Sequence, residues 1–192
     1  MNEVRIAALV EGHGEVQAVP VLLRRIIAAI DPSIAAAIPW PFRHPSGRIR
    51  MPGGLERALN AVPALYPGHA ILVLIDSDDD CPGELGPELL QRAKTARSDL
   101  RVAVVLAHQE FECWFLAAAE SLKALRPGRT APQHPERIRD AKGWLTDNLA
   151  RRGRYSETLD QAAFAAGMNL DLARARSRSF RKLWREIESY CL

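Results

Sequence analysis

The sequence is poor in cysteine. Cys81, Cys113 and Cys191 are its only three, widely spaced and without a CxxC pair, which argues against both a disulfide framework and a structural zinc site. Long apolar runs are lacking too: none approaches the ~18 residues that a transmembrane helix needs, so no membrane partner is expected. The opening Met1-Asn2-Glu3-Val4-Arg5 has no basic n-region and no small-residue cleavage site, so no signal peptide is expected. Gly-Lys-Ser/Thr appears nowhere, which removes a Walker A loop and with it a built-in ATPase. Internal repeats and low-complexity tracts are absent. Neither sign of charge dominates: a net charge of +3 and a pI near 9.0 permit a nucleic-acid partner without requiring one. What is present is ordinary globular composition, 47% hydrophobic and 26% charged over 192 residues, which excludes wholesale disorder and fits one domain or a domain with a small appendage. A cytoplasmic protein is the expectation.

The first half alternates strand and helix signals. Ile6-Ala7-Ala8-Leu9-Val10 is a continuous apolar run, as expected of a strand covered on both faces. Apolar residues then recur at helical spacing from Val16 to Ile30, with Pro20 expected near the first turn and Asp31-Pro32 closing the helix. The Pro-rich stretch from Pro39 to Pro52 reads as one short edge strand plus loop, and Leu55–Leu65 as a helix ended by Pro67-Gly68. Ile71-Leu72-Val73-Leu74-Ile75 is the clearest buried strand; Leu85–Ala96 reads as a helix and Val102–Leu106 as another buried strand. From Phe111 onward the pattern is helical, with helices expected over Pro135–Ala150, Tyr155–Ala166, Leu170–Arg176 and Ser179–Tyr190. The expected fold is α/β, a mostly parallel, Rossmann-like sheet flanked by helices. Residues 1–120 form its core and 121–192 a helical extension packed on it, either a separate unit or part of one continuous domain.

In open α/β sheets, ligands bind beyond the carboxyl ends of the strands. Glu11 directly follows the first strand and Asp76 the strongest one, so the two lie side by side if those strands are neighbours. On an extended backbone, Asp76 and Asp78 point to the same side. Carboxylates gathered at that edge repel one another, and a hard dication such as Mg²⁺ relieves the repulsion. Gly12 and Gly14 are expected to turn the chain sharply beside the first carboxylate. Acidic runs after strands also serve as solvated loops, and Glu15 also suits the positive end of a helix. Two competing motifs fail. An EF-hand loop starting at Asp76 needs glycine where Cys81 stands and glutamate where Pro87 stands, and a dinucleotide fingerprint starting at Gly12 has Gln17 for its third glycine.

Glu11-Gly12-His13-Gly14-Glu15 after one strand and Asp76-Ser77-Asp78-Asp79-Asp80 after another resemble the Toprim signature of topoisomerases, primases and OLD-family nucleases. His108-Gln109-Glu110-Phe111-Glu112-Cys113-Trp114-Phe115-Leu116, with the aromatic-basic Ser179-Phe180-Arg181-Lys182-Leu183, resembles more narrowly the Toprim-like DUF4276 group. This resemblance implies metal-dependent cleavage of nucleic-acid phosphodiesters, with Glu11, Asp76 and Asp78 as the catalytic acids. Mg²⁺ or Mn²⁺ would be held by Glu11, Asp76, Asp78, Asp80 and Glu112, with Glu15 as a supporting acid. It also implies an AAA/ABC-type ATPase partner in a bacterial defence module. In this sequence Asp79, Asp80, Cys81 and Pro82 intervene before Gly83, a longer gap than most Toprim motifs show.

Lys142, Arg178, Arg181 and Lys182 are the candidate nucleic-acid contacts, since lysine and arginine neutralise phosphate charge without reading sequence. The same C-terminal charges equally describe the solvated face of an amphipathic helix, and Lys142 a surface lysine. His13 reads as exposed and His108 as a helix-start residue. Phe111, Trp114, Phe115 and Cys113 read as core. If Glu110 and Glu112 lie on a helix, they cannot both face the site. Two other readings stay open: a non-catalytic Toprim-fold scaffold or nucleic-acid-binding module, and hydrolysis of a small phosphorylated molecule.

Overall fold

The computed structural model describes residues 3–44 and 47–192. Its centre is a parallel sheet of β1 (Glu3–Val10), β2 (Ala35–Ala37), β3 (Phe42–Arg43), β4 (Ala70–Asp76) and β5 (Val102–Ala107). The spatial order is β2-β1-β4-β5, with β3 pairing farther along β1. The long strands are the continuous apolar runs, and both their faces are buried. Ile6, Ala8 and Val10 join one hydrophobic cluster, whereas Ala7 and Leu9 join the cluster on the other side. The short strand β3 lies in the Pro-rich stretch as expected, of which residues 45–46 lie outside the described residues. The alanine strand β2 was not foreseen, because alanine carries no strand preference.

One face of the sheet is covered by α1 (His13–Ile30), whose apolar stripe buries Val19, Leu22, Leu23, Ile26 and Ile27. Helix α1 starts earlier than its apolar stripe, so Pro20 lies in its interior rather than its first turn. The helix therefore lacks one internal hydrogen bond and persists through tertiary burial. The opposite face carries α2 (Gly54–Leu65) and α3 (Pro82–Ala96), which bury Leu55, Leu59 and Leu89.

The C-terminal segments are α4 (Cys113–Ala117), α5 (Ala141–Asn148), α6 (Glu157–Gly167), α7 (Leu170–Arg176) and α8 (Arg178–Cys191). The helix expected over 135–150 is shorter. Pro135–Arg137 is a single 3-10 turn, and α5 begins after Asp140, whose carboxylate accepts from the Gly143 N–H at 2.8 Å. Helices α4 to α8 pack on the α1 side and share one hydrophobic cluster with the sheet. Phe111, Trp114 and Phe115 are its aromatic centre. The Trp114 and Phe180 rings meet edge to face at 5.4 Å, and Phe115 meets Phe164 at 5.5 Å. Among the described residues, no helix is long and apolar enough to cross a membrane.

Candidate functional site

β1 and β4 are neighbours, with Leu9 opposite Val73, so Glu11 and Asp76 emerge at the same carboxyl edge. β4 and β5 are also paired, with Asp76 opposite Ala107, which sets the loop after Asp76 beside the loop after Ala107. The two loops clasp each other through the backbone. The Asp78 N–H donates to the Gln109 carbonyl at 3.0 Å, and the Gln109 N–H donates to the buried Ser77 hydroxyl at 3.0 Å. Asp78 and Gln109 both have left-handed backbones, with φ of 48° and 64°. Two such non-glycine residues in facing loops are local strain held by the surrounding structure, as is common at functional sites.

One group of acids is buried around Asp76. Its carboxylate accepts from the Phe111 N–H at 2.7 Å and lies close to Glu15 and Glu112, which are 5% and 1% exposed. Burial, then Glu15, then Glu112 push the Asp76 carboxyl well above the usual range. Glu15 is pushed up to about 7, mainly by burial and then by Glu112, against the backbone donors of Glu11 and Gly12. These donors, both at 3.1 Å, make Glu15 the capping-box residue of α1. Glu112 is likewise raised by burial. One of its oxygens accepts from the Tyr155 hydroxyl and from Gln161 Nε2, both at 3.0 Å.

Lys142 is the cation of this group. Its Nζ lies 2.6 Å from Glu157 and 4.0 Å from Glu110. Burial lowers its pKa, but Glu112, Glu157 and Glu110 together hold it above the usual lysine value. Lys142 is thus an internal counter-ion rather than a plain surface lysine. The expectation that Glu110 and Glu112 cannot both face the site fails for a local reason. Both precede α4, in a non-helical turn, and both act on Lys142.

The other acids lie on the opposite flank. Glu11 is buried, and its Oε1 accepts from the Gly47 N–H at 2.8 Å. Burial raises its pKa, Gly47 and Arg50 lower it, and Asp78 raises it further. The strand ends at Asp76, so the extended geometry expected for Asp76 and Asp78 does not hold. The left-handed turn at Asp78 sends its side chain outward, 65% exposed, onto Arg50 at 2.8 Å. Arg50 also binds Asp80 at 2.9 Å and the Asp76 carbonyl at 2.6 Å. Asp79 pairs with Arg139 on the surface. A cleft of about 200 Å³ opens between Asp78, Asp79, Gln109, Glu110 and Arg139. Among the described residues, no three acidic, histidine or cysteine side chains are gathered tightly enough to cage a metal ion.

The chain bends at Glu11–Gly12 as expected, but without using the conformational freedom of glycine. Gly12 has an ordinary extended backbone at φ −85°, and Gly14 is helical. Gly14 answers to a close approach instead. A Cβ there would stand 2.6 Å from the Glu157 carbonyl oxygen and 2.5 Å from Gln161 Oε1. The start of α1 therefore docks against α6, and that contact brings Gln161 and Glu157 to the acids.

The C-terminal basic residues serve local ends. Arg176 pairs with Glu120 at 2.8 Å, Lys182 with Glu186, and Arg181 donates to the carbonyls of Arg174 and Ala175. Arg178 is exposed, as are His13 and Arg185. His108 lies in a bend before the turn that leads to α4 rather than at the helix start. Sequence reasoning missed Arg50, Tyr155, Gln161 and Glu157. Tyr155 and Gln161 sit in or next to an amphipathic helix where polar residues look like a solvated face; the Gly14 contact faces Gln161 inward, and Tyr155 packs on Phe164 with its hydroxyl on Glu112.

The family model described as "Domain of unknown function (DUF4276)" matches residues 10–188. Comparisons with curated proteins and with solved structures returned no match.

Proposed function

The chain belongs to the DUF4276 family, and we propose that it is a Toprim-like, divalent-cation-dependent enzyme that cleaves phosphodiester bonds in nucleic acid. The observation that carries this reading is the half-buried Asp76 with the buried Glu15 and Glu112 at the carboxyl edge of adjacent parallel strands, every member held above its ordinary pKa. Lys142 alone does not offset the negative charge of this group. The donor set is all oxygen, and the Arg50 guanidinium already sits as a cation on Asp78 and the Asp76 carbonyl, so the chemistry fits Mg²⁺ or Mn²⁺.

Asp76 and Asp78 would hold the ion, with Glu11 and Glu112 approaching from either flank. When bound, such an ion supplies Lewis-acid activation and charge neutralisation for phosphodiester cleavage. The chain's own residues set the rest. Tyr155 and Gln161 fix the Glu112 carboxylate, and the Phe111 N–H fixes that of Asp76. Glu15, near neutral in proton affinity, can hold or release a proton at the edge. Arg139 borders the cleft in which a phosphate backbone would lie, and Lys142 stands behind its wall on Glu110. An ATPase partner and a cytoplasmic setting belong to the same reading.

A second reading, a non-catalytic Toprim-fold scaffold or nucleic-acid-binding module, is favoured by one observation: Asp78, Asp79 and Asp80 already have arginine partners. Calorimetric titration of Mn²⁺ and Mg²⁺ into wild type and Asp76→Asn, followed by cleavage assays on plasmid, single-stranded DNA and RNA, separates the two. Binding that disappears in the variant, with cleavage that requires the ion, upholds the enzyme. An ion-independent complex with nucleic acid and no cleavage upholds the module.

A further inference from the structure

We propose that Arg50 is a displaceable counter-ion that parks Asp78 away from Asp76, and so sets how tightly the sheet edge takes a divalent cation. This deepens the metal reading above and rests on it. The guanidinium spans three oxygens of one loop: the Asp76 carbonyl at 2.6 Å and the carboxylates of Asp78 at 2.8 Å and Asp80 at 2.9 Å. It thereby occupies the Asp78 carboxylate that the left-handed backbone turns outward, at an edge where the described residues form no ready-made cage.

Three features make this cation displaceable. Both carboxylate partners are largely exposed, 65% for Asp78 and 52% for Asp80, and exposed ion pairs are weakly held. The Nε of Arg50 is buried without an acceptor, so the guanidinium is not fully satisfied where it sits. Its backbone is tied down separately, because Arg92 donates to the Arg50 and Met51 carbonyls, each at 2.9 Å. The side chain can therefore leave without carrying the loop away. Lys142, by contrast, serves the inner acids from α5 and stays in place.

The experiment is calorimetric titration of Mn²⁺ into the full chain at neutral pH, for wild type, Arg50→Gln, Arg50→Lys and Asp76→Asn. Arg50→Gln is expected to bind Mn²⁺ about three- to tenfold more tightly, the range set by breaking exposed charged pairs. Arg50→Lys keeps the charge but loses the fork that spans Asp78 and Asp80, and is expected to tighten binding as well. General damage weakens binding and does not mimic this result. If Arg50→Gln tightens binding while Arg50→Lys matches wild type, the effect is charge at a distance and the proposal is overturned. Equal or weaker binding in Arg50→Gln also overturns it. If wild type binds, Asp76→Asn does not, and the Arg50 variants are unchanged, only this inference falls. Failure of every variant to bind removes the metal reading along with it.

Discussion

Two carboxylate environments in this molecule are both withdrawn from water and behave in opposite ways. Glu136 is 8% exposed, and burial alone raises its pKa, yet its carboxyl is held below the usual range. The reason is donors. Its oxygens accept from the Ser177 and Ser179 hydroxyls and from the N–H groups of Arg178 and Ser179, the first turn of α8. At the sheet edge, Glu15, Asp76 and Glu112 have fewer donors and one another's charge, and all are raised. Burial sets the stakes, but the count of donors and neighbouring charges decides the direction. Glu136 is stabilised by donors alone, whereas the edge acids share two capping N–H groups, a few side-chain donors and the single charge of Lys142.

The contrast breaks most severely at its stable end. Glu136→Ala strands four donors at the start of α8, beside the Ser179 hydroxyl that also accepts from Trp114 Nε1 at 2.7 Å. The expected loss is about 3 kcal/mol in urea unfolding at pH 7, with Glu136→Gln losing less. Next is Gly14→Ala, which drives a methyl group into the Glu157 carbonyl and the Gln161 side chain. It is expected to cost about 2 kcal/mol or more. It should also displace Gln161 from Glu112, and loss of Mn²⁺ binding would report that.

The two environments also carry opposite pH signatures. Glu136, depressed in the folded state, contributes stability that is present above the unfolded carboxyl value of 4.5 and is lost as pH falls through its folded value. Glu15, raised to about 7, binds its proton more tightly in the folded state, so its contribution is complete below 4.5 and fades as pH rises to about 7. Thermal stability of the metal-free protein should therefore fall on both sides of a maximum near pH 4.5 to 5. Glu15→Gln removes its own share of the upper decline, beside those of Asp76 and Glu112, while its amide oxygen still accepts the two capping N–H groups. It should gain on the order of 2 kcal/mol at pH 8 and nothing at pH 4.5. A gain that is the same at both pH values would show that Glu15 is not titrating there.

Much of the frame was legible in the sequence because buried strands announce themselves as continuous apolar runs. β1, β4 and β5 coincide with Ile6–Val10, Ile71–Ile75 and Val102–Leu106, and their adjacency delivers Glu11 and Asp76 to one edge. What failed was local geometry beyond the strand ends. Period-two reasoning placed Asp78 beside Asp76, but a positive φ at Asp78 cancels the period. Helical reasoning separated Glu110 from Glu112, but the helix starts at Cys113, after both of them. Gly14 looked like a hinge and is a contact surface, because what demands glycine there is a carbonyl about 140 residues away in sequence, invisible to any local window. Arg50 carried no signal at all, since an arginine in a Pro-rich loop is unremarkable until the loop is seen to cross the acids.

The smallest expected effect concerns the C-terminal charges, which complete the comparison from the solvated side. Arg178 and Lys182 are exposed on α8, and Lys182 pairs with Glu186 four residues on. Such pairs contribute about 0.5 kcal/mol or less, so Arg178→Gln with Lys182→Gln should leave the urea midpoint almost unchanged. If this face meets a phosphate backbone, the double variant binds nucleic acid more weakly, and the salt dependence of binding becomes shallower by nearly one released counter-ion per lost contact. An unchanged salt slope assigns the face to solvent. The polyanion's contacts then fall to Lys142 and Arg139 at the sheet edge, where the same measurement on Arg139→Gln would register them.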